Sequence, residues 1–160
     1  MREAARLAAG KARAAGVGMA LVAGTTHTGA LGHYTQALAR EGFAAIALAA
    51  TAPFILYQGA TKAAVGTNPL SIAVPGAAGD PIVLDMTTGA TSLGQLMLAR
   101  RENRTLAPGL AADAQGRPTS DPHRAEVLLA AGGDRAPGVQ VLAVDGLLQG
   151  DGGADPARAV

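Results

Sequence analysis

His27 stands among glycines and hydroxyls in Gly24-Thr25-Thr26-His27-Thr28-Gly29-Ala30-Leu31-Gly32. The apolar run Met19-Ala20-Leu21-Val22 precedes it and a helix-like stretch comes after it. A turn between a strand and a helix presents its side chains at a surface cleft. An imidazole in such a place moves protons near neutral pH; the alternative is a turn histidine bonded only to nearby backbone. Two later segments pose the same choice. Gly66-Thr67-Asn68-Pro69-Leu70 is either an ordinary turn before a strand or part of a ligand site. In Leu84-Asp85-Met86-Thr87-Thr88, Asp85 either caps the next segment, helped by Thr87 and Thr88, or offers its carboxylate at a strand end. His27 and His33 lie six residues apart, a poor fit to one helix face, and His123 is remote. No shared metal is expected. The absence of cysteine excludes disulfides, thiolate metal sites and a cysteine nucleophile.

The elements that must position these residues are set by periodicity and breakers. Arg2 to Ala15 is rich in Ala, Arg and Lys and predicts a helix, stopped at Gly16. Val17 to Val22 predicts a buried strand. Ala30 to Arg40 predicts a helix with Leu31, Tyr34 and Leu38 on one face, ended by Gly42. Ala44 to Ala50 predicts a second buried strand, and Thr51 to Val65 a loop. Leu70 to Val74 and Ile82 to Asp85 predict a hairpin across the turn-forming segment Pro75 to Pro81. Ala90 to Arg104 predicts a helix. Ala107 to Pro122 predicts a loop, and Asp121-Pro122 the start of a short helix running to Leu129. Val139 to Leu148 predicts one more element. One domain over residues 1–149 is expected, with a frayed tail at 150–160.

Composition narrows the function classes. Hydrophobic residues make up 49% of the 160-residue chain, charged residues 16% and aromatics 2%. That supports a real core built from small side chains, each of which buries little area. The net charge of +1 leaves no electrostatic footprint for nucleic acid. The uncharged stretch between Glu41 and Lys62 is long enough for a bilayer. It is rich in alanine and holds Pro53, Tyr57, Gln58 and Gly59, so it predicts a strand and a loop rather than a membrane span. No signal peptide is evident, and a cytoplasmic location is expected. A dinucleotide fingerprint of the Gly-x-Gly-x-x-Gly kind is missing: Gly16-Val17-Gly18 precedes its strand and lacks a third glycine.

Taken together and in order, Thr-Thr-His-Thr-Gly, Gly-Thr-Asn-Pro-Leu and Val-Leu-Asp-Met-Thr-Thr, and after them Leu106-Ala107-Pro108-Gly109, resemble the malate/L-lactate dehydrogenase-like oxidoreductases. That family includes L-sulfolactate and ureidoglycolate dehydrogenases and diketogulonate reductase. The resemblance implies a mixed α/β fold of the L-sulfolactate dehydrogenase kind, with a largely antiparallel sheet and flanking helices, not a Rossmann fold. It implies hydride transfer between NAD or NADP and a 2-hydroxy or 2-oxo acid, in a homodimer. It implies that His27 exchanges a proton with the substrate oxygen and that Thr51, Asp85, Met86 and Thr87 contact the cofactor. The Asp85 carboxylate would accept ribose hydroxyls. Arg135 falls where the family carries a lysine and would meet a phosphate; no substrate-binding residue is assigned.

Set beside the family, Met1 falls within the helix that precedes the histidine strand, so about ninety residues of a typical member have no counterpart. Similarity decays after Leu142. The alternative function is therefore a non-catalytic nucleotide-binding or dimerisation remnant, truncated at both ends.

Overall fold

The computed structural model describes residues 1–131 with the exception of Thr26. The expectations for Val139–Leu148, for the 150–160 tail and for Arg135 lie outside the described residues. Among the described residues two sheets carry the fold. Strands β1 (Ala45–Leu48), β3 (Leu70–Val74) and β4 (Ile82–Met86) form an antiparallel sheet in the order β1-β3-β4. Strands β2 (Ile55–Leu56), β5 (Ala111–Ala112), β6 (Pro118–Thr119) and β7 (Val127–Leu129) form a mixed sheet in the order β2-β7-β5-β6, with β2 and β7 parallel. Among the described residues three α-helices accompany them: α1 (Arg2–Ala15), α2 (Gly32–Arg40) and α3 (Leu93–Arg101). The mixed α/β architecture expected from the sequence is present.

The hairpin forms as its pattern predicts. Val74 pairs with Ile82 and Leu70 with Met86, with one 3-10 turn at Ala77–Gly79 between the strands. Directly paired residues share a face, so the register sorts the side chains cleanly. Ala45, Ala47, Ser71, Ala73, Val83 and Asp85 point towards α2, and these mostly small side chains let the helix settle close. Ile46, Leu48, Leu70, Ile72, Val74, Ile82, Leu84 and Met86 point the other way. No described element covers that apolar face; Ile46 is 69% exposed and Leu48 71%.

The second sheet has its own core. Ile55, Leu96, Ala99, Leu106, Ala111, Ala125 and Leu128 form one buried cluster between the sheet and α3. Ser92 caps α3 by accepting the Gln95 amide at 3.2 Å. At the other end, Arg100 reaches the carbonyls of Pro122 and Ala125.

Several predicted elements differ. Val17–Val22 is not a buried strand: it pairs with no described strand, and Val17 is 81% and Leu21 89% exposed. Strand propensity expresses itself only where a sheet edge accepts the segment, and here the chain turns back along α1, with Gly18 packed on the Ala8 carbonyl. Thr51–Val65 is not wholly loop, because β2 pairs with β7 inside the second core. Ala107–Pro122 likewise contains β5 and β6. Asp121-Pro122 starts one turn rather than a helix: Asp121 accepts the amides of His123, Arg124 and Ala125. The chain then extends into β7, where Leu128 is fully buried. On α2 the buried stripe is Gly32, Thr35, Gln36 and Ala39, not Tyr34 and Leu38. Only small or polar groups fit the short distance to the alanine-lined sheet. Among the described residues no helix is long and apolar enough to cross a membrane.

Candidate functional site

His27 lies on the exposed turn that leads into α2. Its position is set by what anchors that turn. Helix α2 has no capping side chain of its own at Leu31, so its first amides need another acceptor. Asp85 supplies it from β4: Oδ2 accepts the Gly32 N–H at 2.7 Å, and the carboxylate is 6% exposed. A carboxylate at a helix N-terminus is favoured by the helix dipole as well. A Cβ at residue 32 would sit 2.7 Å from Oδ2, so only glycine admits this approach. Beside Asp85, across the β3–β4 register, Ser71 donates to the Leu84 carbonyl at 2.8 Å. Its hydroxyl lies 2.7 Å from that of Thr35, which also reaches the Gly32 carbonyl at 3.3 Å. A buried polar row thus lies under the N-terminal half of α2.

Two bonds fix the turn above it. Tyr34 donates its hydroxyl to the Thr28 carbonyl at 2.9 Å. The Gly29 amide donates to His27 Nδ1 at 2.9 Å.

A second knot gathers the other sequence-selected residues. The Thr67 carbonyl accepts three donors: Thr88 N–H at 2.9 Å, the Thr87 hydroxyl at 2.8 Å and the Thr88 hydroxyl at 3.1 Å. The Thr67 hydroxyl meets that of Thr51 at 3.2 Å. Asn68 Oδ1 accepts the Thr51 N–H at 3.1 Å, and the Asn68 backbone holds a left-handed φ of 33°. That conformation disfavours most side chains and tolerates Asn. Gly66 runs so close to the Thr51 backbone and hydroxyl that no Cβ could be placed there. The Gly66–Pro69 motif is thus a clasp bonded to Thr51 on one side and to Thr87 and Thr88 on the other.

The structure therefore brings Thr51 and Thr87 together through Thr67, with Thr51 exposed and Thr87 half-buried. Asp85 joins that knot to the His27 turn, because it lies near the end of β4, two residues before Thr87, and bonds to Gly32. Met86 points to the opposite face from Asp85 and lies beside Leu70. The Asp85 carboxylate is turned inward rather than towards a ligand in solvent. Surface depressions occur beside Lys62, Asp113 and Glu126 and between α1 and α2; neither is lined by His27 or Thr51. Sequence reasoning did not single out Tyr34, Thr35 or Ser71 as supports. The signal available was a hydroxyl at an otherwise apolar strand position, Ser71, opposite another on a helix.

The sequence matches the malate/L-lactate dehydrogenase family over residues 1–150. It is 38% identical over 112 residues to a Delta(1)-pyrroline-2-carboxylate/Delta(1)-piperideine-2-carboxylate reductase of Pseudomonas putida, covering 70% of this chain and 33% of that protein. It is 32% identical over 127 residues to the ureidoglycolate dehydrogenase (NAD(+)) of Escherichia coli K12, covering 79% and 36%. The crystal structure of malate dehydrogenase from Entamoeba histolytica superposes with a TM-score of 0.70 at 28% identity, covering 76% of this chain and 34% of that one. The chain spans about a third of the length of the curated relatives it matches. With the match running over nearly all its length, and with the fold of solved members beneath it, the chain belongs to the malate/L-lactate dehydrogenase family.

Proposed function

We propose that this chain carries the proton-transfer histidine and part of the cofactor contact surface of a nicotinamide-dependent oxidoreductase acting on 2-hydroxy and 2-oxo acids. The observation that carries this is the exposed His27 on a turn anchored from beneath by Asp85. Family membership gives the type of chemistry; the names of relatives include both NAD(+) and NADP(+) enzymes. When bound, the cofactor supplies or accepts the hydride, while the chain's own residues hold, orient and move a proton.

His27 exchanges that proton with the substrate's carbonyl or hydroxyl oxygen. Thr51, exposed at the end of the β1 segment, and Thr87, beside it in the Thr67 knot, are the described polar groups that fit a cofactor. Met86 contributes its backbone and half-buried side chain at the same strand end. Asp85 serves by holding Gly32 and through it the His27 turn, since its carboxylate is already committed and buried. Arg135 is assigned to a cofactor phosphate. The protein acts as a homodimer in the cytoplasm.

The test is oxidation of NADH and NADPH with pyruvate, oxaloacetate and glyoxylate. His27→Ala is expected to lower the rate by about 10²–10⁴-fold, the usual contribution of a positioned acid–base group. Turnover unchanged by that substitution overturns the assignment.

A second function is favoured by one observation, the bare apolar face of β1-β3-β4. It is a nucleotide-binding or self-pairing module without turnover. NADH fluorescence that responds to the chain in the absence of any oxidation, together with a dimer mass by light scattering, would select it.

A further inference from the structure

The Gly29 amide lies 2.9 Å from His27 Nδ1. A backbone N–H only donates, so Nδ1 must present its lone pair, and in the neutral ring the proton sits on Nε2. We infer that this is a parked state of His27, in which neither ring nitrogen can exchange a proton with a substrate oxygen, and that the Gly29 bond must open before either does. This presupposes the proton-transfer role proposed above.

Each proton route breaks the same bond. When a 2-oxo acid is reduced, the carbonyl carbon gains a hydride from the dihydronicotinamide and the oxygen gains a proton from an imidazolium, which returns to neutral imidazole. An imidazolium carries a proton on both nitrogens, so its Nδ1–H would face the Gly29 N–H, donor against donor. A neutral ring that gave up its Nε2 proton would be left as an imidazolate anion. When a 2-hydroxy acid is oxidised, its hydroxyl proton must land on a bare nitrogen. If Nε2 receives it, the ring proton must first occupy Nδ1 and again oppose Gly29. If Nδ1 receives it, its lone pair must first be released from Gly29.

The rest of the turn is built to stay in place while the ring moves. Gly32 is held by Asp85 and Thr28 by Tyr34, and neither bond involves the imidazole. Release therefore needs only rotation of the His27 side chain or of the peptide at Gly29. His27 is exposed, which leaves room on the solvent side for that rotation.

The experiment compares two exposed histidines of the intact chain. Diethyl pyrocarbonate acylates an imidazole nitrogen through its free lone pair. His33 is exposed on α2, where its ring meets that of Tyr34 edge-on. His27 is expected to react several-fold more slowly than His33, read peptide by peptide by mass spectrometry. Equal or faster modification of His27 overturns the parked state. The ring tautomer is read separately on the unliganded, 15N-labelled chain: a proton on Nε2 and a coupling across the Gly29–His27 hydrogen bond are expected, and a proton on Nδ1 overturns the inference. Exchanging the Gly29 amide for an ester removes the donor without adding a side chain. His27 should then react at the rate of His33; a ring that stays slow shows that Gly29 is not what holds it. None of these measurements uses turnover. A parked ring with turnover indifferent to His27→Ala would remove the functional assignment and leave the parked geometry standing.

Discussion

The two sheets differ in what they finish. The four-stranded sheet closes a core with α3, where Ile55, Leu96 and Leu128 are fully buried. The three-stranded sheet buries only Ala39, Ala73 and Val83 as a cluster under α2 and leaves its opposite face of Ile, Leu, Val and Met uncovered by any described element. The candidate chemistry sits on the less finished side. His27, Thr51 and Asp85 all belong to the region around α2, β3 and β4, where hydrogen bonds rather than apolar bulk fix the geometry. The four-stranded sheet carries none of the assigned residues, yet with α3 and Leu106 it holds most of the large buried apolar side chains. Stability and candidate function are thus divided between neighbouring halves. They join through the bridge of Gly89 to Ala130 and the Ala131 bond to the Thr88 carbonyl.

That division is breakable by substitution. The largest effect is expected at Leu128→Ala, which should cost about 2–5 kcal/mol by emptying a buried site. The same truncation at Leu48, on the bare face, should stay within about 0.5 kcal/mol, as exposed positions do. Urea unfolding of the two variants makes the comparison; equal losses would mean that the apolar face is covered in solution. Next comes Gly32→Ala, which drives a methyl into Asp85 and should cost about 1–3 kcal/mol, the range for overpacking. Asp85→Asn keeps an acceptor for the Gly32 amide and should lose less than Asp85→Ala. The His27 resonances should move in the alanine variant and stay near their original positions in the asparagine variant.

A smaller effect separates the halves by pH. Asp113, in the loop between β5 and β6, is held below the ordinary carboxylate range chiefly by the Arg117 amide. The Gln115 amide and the Arg117 guanidinium add to this, and desolvation opposes it. Its folded value is lower than its unfolded value of about 3.9. Its contribution to stability is therefore full above that pH and is lost as pH falls through the folded value. Asp113→Asn should lower the urea midpoint at pH 7 and flatten its decline towards pH 3. A midpoint that falls equally steeply in both proteins would show that Asp113 contributes nothing to acid sensitivity. The smallest effect is expected for Leu48→Lys, near neutral for unfolding but visible as reduced self-association by light scattering.

Much of the first half was legible in sequence because its signals are local. The β3–β4 hairpin announces itself by alternation and by Pro75–Pro81. The His27, Gly66–Pro69 and Asp85–Thr88 motifs stand out by residue type and order. What sequence could not show is direction. Asp85 reads equally as a ligand for something in solvent and as a cap for something inside; only the fold brings Gly32, 53 residues earlier, to its carboxylate. The four-stranded sheet was hidden for a different reason. Its strands are two or three residues long, too short for periodicity, and they exist because long-range pairing gathers Leu128 and Ile55 into one core. Val17–Val22 failed in the opposite way: its pattern is strong, but no described edge receives it.

The three donors on the Thr67 carbonyl have a consequence for how faithfully the hairpin zips. Thr67 and Thr87–Thr88 sit just beyond the open ends of β3 and β4, so they meet only when every pair between them is correctly matched. A slip of one residue would turn Asp85 out to the apolar face and thrust Leu84 or Met86 at Gly32. It would also forfeit three hydrogen bonds of about 0.5–1.5 kcal/mol each. The knot is a vernier for strand alignment: it reads out, at the far end of the paired strands, whether the carboxylate beneath His27 faces the right way.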